Sequence, residues 1–525
     1  MQPNGAVFSA LIPFSRLECA GRAYGRRVLA IVSTYALVGV EAREVRVEAD
    51  VRNGLPAFAL VGLPDAAVRE ARERVRAAIV NSGFEFPQKR ITVNLAPADL
   101  RKAGPGFDLA LAAAVLAATG QLPEARLDGV AFAGELALDG SIRAVPGVMA
   151  MARGAQGSKA RALVVASASG PEAALVAGGA VIPLERLEQL RSLGGVGEPP
   201  APEPLRPTLN GDVPLPDLAD LRGQPGLCRA LEVAAAGAHS LLVSGPPGAG
   251  KSMAARRLPS ILPPLGPEES IEAASVASAC GHPVEAAIAR RRPFRAPHHT
   301  ISTAGLIGGG NPPRPGEVTL AHRGVLFLDE LPEFGRGTLE ALRQPLEDGS
   351  IRISRARYAV ELPCRFQLVA AANPCPCGRG LESGACRCDA GAVRAYESKL
   401  TGALSDRIDI SLTVEQPDLI AFAEAAESSA AVRGRVLAAR ERQRARGQAA
   451  GTGDRANAEL GAGEVAIAPG VERMLAESGT ATRLSGRGRE RVVRVARTIA
   501  DLDDRAEVTV EHVAEAMAMR RRERR

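Results

Sequence analysis

An apolar run, Leu241-Leu242-Val243-Ser244, opens directly into Gly245-Pro246-Pro247-Gly248-Ala249-Gly250-Lys251-Ser252, after which the pattern turns helical. No other segment constrains the fold as tightly. A strand that delivers a glycine-rich loop to a helix N-terminus is the strand–loop–helix unit of P-loop proteins, and it predicts an α/β fold with a parallel sheet. The glycines let backbone N–H groups turn toward a phosphate chain, and the helix N-terminus adds partial positive charge. Lys251 is then the cation for the β- and γ-phosphates of ATP, and Ser252 a ligand of Mg²⁺. A chance Gly-Pro turn followed by Lys-Ser would not come with both the strand and the helix. Lysine usage points the same way: Lys89, Lys102, Lys159, Lys251 and Lys399 are the only lysines, against an Arg-rich remainder. A chain that writes Arg almost everywhere and Lys in this loop needs a compact ammonium there.

A second apolar strand, Gly324-Val325-Leu326-Phe327-Leu328, ends in Asp329-Glu330. Alone, the two acids read as a helix cap. Behind a P-loop, Asp329 is expected to complete the Mg²⁺ shell and Glu330 to polarise the attacking water. A third apolar strand, 368–372, leads into Asn373, whose amide is placed to orient that water; Asn-Pro is also an ordinary turn signal. Arg407, between Asp406 and Asp409, reads either as a surface ion pair or as a guanidinium delivered to a neighbouring subunit's transition state. Arg487, in Ser485-Gly486-Arg487, is a similar case.

With 525 residues the chain exceeds one hydrophobic core, so two or three domains are expected. Residues 1–28 show no periodicity and read as a disordered extension or a start-site artefact. They lack the basic opening and small-residue cleavage site of a signal peptide, and no apolar run is long enough to span a bilayer, so the expected compartment is the cytosol, with no membrane partner. Residues 29–195 alternate strands with helices. Seven prolines between 199 and 216 make residues 196–216 a semi-rigid linker. The P-loop core occupies 217–415, with strands apolar on both faces as in a parallel sheet. Helical character dominates 416–525. A net charge of +6 over this length permits nucleic-acid binding without arguing for it. With 3% aromatics and no Trp, the composition argues against a base-stacking platform as the main grip on any nucleic acid.

Four of the eight cysteines cluster as Cys375-Pro376-Cys377 and Cys386-Arg387-Cys388. Four thiolates close a tetrahedral zinc site; the alternative is reduced thiols without metal. Residues 349–362 predict a hairpin carrying Arg352, Arg355 and Arg357, either a phosphate-contacting element or a solvated charged turn. The terminal Arg520, Arg521, Arg522, Arg524 and Arg525 read either as a further nucleic-acid contact or, better, as a helix end and its tail.

Further segments are more specific. Arg292-Pro293-Phe294-Arg295-Ala296-Pro297-His298-His299, Gly308-Gly309-Gly310, Pro313-Arg314-Pro315-Gly316-Glu317, the run from Leu328 to Phe334, and Asn373-Pro374-Cys375-Pro376-Cys377-Gly378 together resemble the ComM/YifB family of magnesium-chelatase-like AAA+ ATPases, over roughly residues 29–520. The resemblance implies a homo-oligomeric ring, a hexamer, with ATP at subunit interfaces. It implies Arg407 as the finger acting in trans, Asn373 as sensor one and Arg487 as sensor two, with 416–525 ending in a helical lid. It implies DNA as a partner, since the better-understood members are helicases that drive branch migration during natural transformation. Residues 29–195 are similar to the proteolytic domain of Lon proteases, of the ribosomal S5 domain 2-like fold. Where that domain keeps its serine, this chain reads Gly104-Pro105-Gly106, and the matching lysine position holds Met149. An acyl-enzyme needs a nucleophile and a base, so the expectation is a non-proteolytic domain. The alternative readings are a chelatase-type motor remodelling a protein partner, an ATP-dependent protease and a nucleotide-binding scaffold.

Overall fold

The computed structural model describes residues 29–520 apart from 159, 196, 207–214, 311–312, 356–357, 381–385, 402–403, 405–406, 418–425, 462 and 483–484. The expectations for residues 1–28, for Arg357 and for the Arg521–Arg525 tail lie outside the described residues.

Seven strands form the first sheet, in the order Ala57–Val61, Arg90–Ala96, Glu41–Arg52, Leu29–Val38, Val130–Ala133, Ala162–Ala166, Ala180–Leu184. Leu29–Val38 and Glu41–Arg52 form an antiparallel hairpin, and Glu41–Arg52 is also antiparallel to Arg90–Ala96. The period-two pattern explains the register: Val45, Val47, Ala49 and Val51 all face the core. The Ala66–Asn81 helix begins where Asp65 caps it, accepting a hydrogen bond from the Val68 N–H at 2.8 Å. The Asp108–Ala118 helix is buried from Asp108 to Leu116. Its buried Asp108 carboxylate is met by Arg74 at 2.7 and 3.1 Å.

One strand is shorter than its sequence implies. The run 129–137 joins this sheet only as Val130–Ala133, because Gly134 turns its backbone away; beyond it Glu135–Leu136 pairs with Ile142–Arg143 in a separate two-stranded sheet. The Gly134 N–H donates to Gly106 O at 3.2 Å, and its carbonyl accepts from the Leu109 N–H at 3.1 Å. Those bonds fasten the start of the Asp108–Ala118 helix instead of extending the strand.

The second sheet has five parallel strands, in the order Phe294–Arg295, Val325–Leu328, Gln367–Ala372, Leu241–Ser244, Ile410–Thr413. Val325–Leu328 and Gln367–Ala372 are buried along their whole length, which is why these strands read as unbroken apolar runs. The helices Pro225–Gly237, Lys251–Ile261, Ser429–Ala449, Gly486–Leu502 and Val510–Ala518 share a core with this sheet. Among the described residues no helix is long and apolar enough to cross a membrane.

The two α/β parts meet along a buried seam. The turn at Gly39 lies against Val360 and Leu362 of the Arg-bearing hairpin. The Val148–Gly157 helix meets the Pro267–Ala279 helix, and Met149, fully buried, packs with Leu265, Ala273, Ala274 and Val284. Ser278 secures the contact: its carbonyl accepts from the Gly147 N–H at 2.8 Å and its hydroxyl oxygen from the Met149 N–H at 3.4 Å. The position where a Lon-type lysine would stand is thus an apolar contact with the second sheet's own helices.

Candidate nucleotide-hydrolysing site

Parallel strands put all their C-terminal ends on one edge, and open α/β sheets bind ligands there. Ser244, Leu328 and Ala372 end adjacent strands at that edge. The loop 245–250, the Asp329-Glu330 pair and Asn373 therefore converge, although 128 positions separate the first from the last.

Gly250, at φ 83°, turns the chain into the helix that starts at Lys251. Lys251 Nζ donates to Gly245 O at 2.6 Å, Pro246 O at 2.9 Å and Asn373 Oδ1 at 3.1 Å. All three acceptors are neutral. Burial pushes the Lys251 pKa below the usual lysine range, while the charges of Asp329 and Glu330 pull it back up. A largely buried ammonium served by neutral oxygens is well matched to an incoming anion, which would form the stronger charge-assisted bonds. Ser252 Oγ donates to Asp329 Oδ2 at 2.6 Å. Hydroxyl and carboxylate side by side are the hard oxygen donors that Mg²⁺ takes. The residues thus fit a nucleotide with its magnesium ion: Lys251 and the loop for phosphates, Ser252 and Asp329 for the metal.

Glu330 adopts a left-handed backbone, φ 53°, a conformation costing a non-glycine residue about 1–2 kcal/mol. Its own N–H donates to Asp329 Oδ1 at 3.0 Å. Glu330 Oε2 lies 3.3 Å from His299 Nδ1. His299 in turn stacks on His298, ring centres 4.1 Å apart, and meets Phe334 edge-on. Sequence reasoning used the His298-His299 pair only as a marker of resemblance. The doubled His in a chain with six histidines was the available signal that this segment reaches the site. Tyr396 was also missed: its hydroxyl accepts the Asn373 backbone N–H, and burial pushes its pKa up to about 12. Gln224 donates to Ala249 O at 3.3 Å and Glu415 O at 2.6 Å, tying the loop to the segment that follows the last strand.

Comparison with known proteins decides what this arrangement belongs to. Residues 47–169, 217–421 and 426–520 match the families described as "Subunit ChlI of Mg-chelatase", "Magnesium chelatase, subunit ChlI" and "Magnesium chelatase, subunit ChlI C-terminal". The chain is 43% identical over 503 residues to the protein YifB of Escherichia coli strain K12, covering 94% of this chain and 97% of that protein. It is 43% identical over 510 residues to the competence protein ComM of Haemophilus influenzae, again covering 94% and 97%. It belongs to the ComM/YifB family of magnesium-chelatase-like AAA+ ATPases. A shorter likeness, 29% identity over 223 residues and 37% of the chain, is to Lon protease 2 of Bacillus subtilis. The fold expected from the sequence is the fold observed: a Lon-protease-like α/β part, a P-loop AAA+ parallel sheet and C-terminal helices. Membership implies an ATPase motor using ATP and Mg²⁺.

The other residues singled out in this ComM/YifB chain lie away from the P-loop. Arg407 precedes the Ile410–Thr413 strand, which runs parallel to Leu241–Ser244 with Ile410 opposite Leu241. Its carbonyl accepts from Ser240 Oγ at 2.9 Å, and its guanidinium pairs with Glu347. Ser240 sits at the start of the strand whose end carries the P-loop, so Arg407 lies on the opposite edge of the sheet, about 13 Å of strand away at ~3.3 Å per residue. Nearby Asp409 is buried, which raises its pKa, but His239, the Ser240 N–H and Arg491 outweigh burial and hold it below the usual carboxylate range. Arg487 is exposed in the first turn of the Gly486–Leu502 helix, where Ser485 Oγ accepts from the Gly488 N–H. No hydrogen bond among the described residues joins Arg487 to the P-loop. The predicted hairpin forms as Ser350–Arg355 and Tyr358–Pro363, with Ile351, Ile353, Val360 and Leu362 inward. Arg352 projects outward and pairs with Glu361 across the strands at 3.1 Å, an exposed pair worth about 0–1 kcal/mol. The side chain of Arg355 lies outside the described residues.

Cys375, Cys377, Cys386 and Cys388 come together directly beyond Asn373, their sulfurs all within 4.8 Å of one another.

Proposed function

We propose that this ATPase is a ring-forming DNA motor, a hexamer, that drives branch migration of recombination intermediates as in natural transformation. The observation that carries the assembly is the place of Arg407. Held on the far edge of its own sheet and paired there with Glu347, Arg407 stands remote from its own P-loop; in the ring it would exchange Glu347 for the loop of a neighbouring copy. Each copy would then supply the cation that its neighbour's transition state requires, a contribution worth roughly 10³–10⁵ in rate. Within one copy, Lys251 holds the phosphates and Ser252 with Asp329 holds the metal. Asn373 orients a water and Glu330 takes its proton at a carboxylate oxygen. Bound ATP with Mg²⁺ supplies the phosphoryl group whose transfer to water powers movement.

The DNA assignment is supported by the name of the Haemophilus influenzae relative, a competence protein, and by its near full-length match. Arg352, on the outward face of the hairpin, is the candidate phosphate contact, joined by Arg355 and Arg357. The magnesium-chelatase descriptions of the matched families favour a second reading, a motor subunit that remodels a protein partner. One assay separates the two: ATP turnover by the full chain with and without single-stranded, forked and four-way-junction DNA, beside a Lys251→Ala control. Stimulation by DNA that the control lacks supports the DNA motor. Turnover indifferent to every DNA refutes it and leaves the protein-remodelling reading.

A further inference from the structure

The four clustered cysteines lie outside the phosphate site and have no part in the chemistry described above. Cys375 Sγ is 3.3 Å from Cys377 Sγ and 3.6 Å from Cys386 Sγ, and Cys377 Sγ is 3.7 Å from Cys386 Sγ. None of the four forms a disulfide, and these separations are far beyond the S–S bond of about 2.04 Å. They fall close to the edge of a tetrahedron with metal–sulfur bonds of ~2.3 Å, which is about 3.8 Å. Burial is graded across the group: Cys375 is fully buried, Cys386 and Cys388 are partly covered and Cys377 is exposed.

The backbone around the sulfurs is arranged for negative charge. Gly380 N–H donates to Cys375 Sγ at 3.3 Å. The N–H groups of Arg379 and Arg387 point at Cys377 Sγ, that of Cys388 at Cys386 Sγ, and that of Cys377 at Cys388 Sγ. Every sulfur therefore receives at least one amide N–H. Outer hydrogen bonds of this kind orient metal ligands and stabilise their charge. Four thiolates this close repel unless a cation sits among them, and a closed set of four soft sulfur ligands in tetrahedral array selects zinc as a structural ion.

We propose that Cys375, Cys377, Cys386 and Cys388 bind one structural zinc ion per chain, and that this knot holds the Asn373 segment against the P-loop. The link runs through Gly378. It is buried at φ 79° between two of the ligands, and a Cβ built there would stand 3.0 Å from Pro247 Cγ and 3.2 Å from Pro247 Cδ. Pro247 belongs to the phosphate loop. At the other end, Cys375 follows Asn373 by two residues, and Asn373 accepts from Lys251. The knot thus touches the nucleotide site from both sides of its own turn.

The test is independent of any DNA. Metal is measured by elemental mass spectrometry on the full chain, purified without a metal-affinity tag from cells grown with zinc. Cys377→Ser, Cys388→Ser and the control Cys228→Ser follow in the same assay. The expected result is one zinc per chain in the wild type and in Cys228→Ser. Each ligand variant should lose zinc to a competing chelator at least about 10–100-fold more readily. Wild-type protein with no zinc and four freely titratable thiols overturns the site. The coupling is read separately: zinc-free Cys388→Ser that still folds should bind a fluorescent ATP analogue several-fold more weakly. Unchanged nucleotide affinity in that zinc-free protein overturns the coupling while leaving the metal site standing.

Discussion

Glu330→Gln isolates the proton-accepting role from everything else the site does. The amide has the same shape as the carboxylate, so the backbone at φ 53° carries the same strain and stability should not change. The contact to His299 Nδ1 at 3.3 Å can persist as a hydrogen bond to the amide. Lys251 bonds Gly245, Pro246 and Asn373, Ser252 bonds Asp329, and none of these hydrogen bonds uses the Glu330 side chain. ATP affinity should therefore remain within about threefold, well under the 1.4 kcal/mol of a tenfold change. What disappears is a group able to take a proton from water. A positioned general base contributes typically 10²–10⁴ in rate, so turnover should fall by about that factor. Single-turnover ATP hydrolysis beside equilibrium binding of a fluorescent analogue measures both quantities. A variant that hydrolyses within tenfold of wild type refutes the role given to Glu330. A variant that loses binding instead shows that the carboxylate belongs to the binding set. Glu330→Gly adds an internal check: it should be as inactive, yet more stable by roughly 0.5–1 kcal/mol, since glycine removes the left-handed strain while losing some backbone entropy.

Arg407→Ala and Lys251→Ala should each abolish turnover, the first with ATP binding intact, and mixing the two proteins should restore part of the activity if Arg407 serves a neighbour's loop; failure of the mixture to recover refutes action in trans. Met149→Ala should lower stability by about 2–5 kcal/mol in thermal denaturation, because Met149 is fully buried in the seam with Leu265, Ala273 and Val284; an unchanged midpoint would mean the seam does not hold the parts together. His322 should make the protein acid-sensitive. Burial and Arg323 lower its pKa from 6.5 to about 4, against the opposing pull of Glu272. The unfolded chain therefore takes up the proton first, and stability is lost as pH falls from 6.5 toward 4, by up to about 3 kcal/mol. Protonation also ends the Arg365 N–H bond to His322 Nδ1, now at 3.1 Å. A His322→Gln protein whose thermal midpoint falls just as steeply between pH 7 and pH 4 would refute this account.

Much of the site was legible because its chemistry is local in sequence. The P-loop carries its own strand, glycine turn and helix start within residues 241–261, so its form follows from backbone conformation alone. The Asp65 cap and the alternating Glu41–Arg52 strand are local in the same sense. The failures came where a long-range bond decided the outcome. Gly134 ends its strand because its backbone is taken by Gly106 and Leu109, and no period in residues 129–137 announces that.

The sequence by itself determined which groups are on hand for nucleotide chemistry, that Gly106 and Met149 offer neither nucleophile nor base, and that four thiols fall in two close pairs, since each is a matter of which functional groups exist and how close they lie along the chain. Only the tertiary structure decided that His299 stands beside Glu330, that Tyr396 steadies Asn373, and that Met149 is packed under a helix from the second sheet. It also decided that Arg407 stands at the opposite edge of the sheet from its own P-loop. The reason is the parallel sheet: it gathers the C-terminal ends of distant strands on one edge and sends whatever precedes those strands to the other, a sorting fixed by strand direction and neighbour order rather than by any local run of residues.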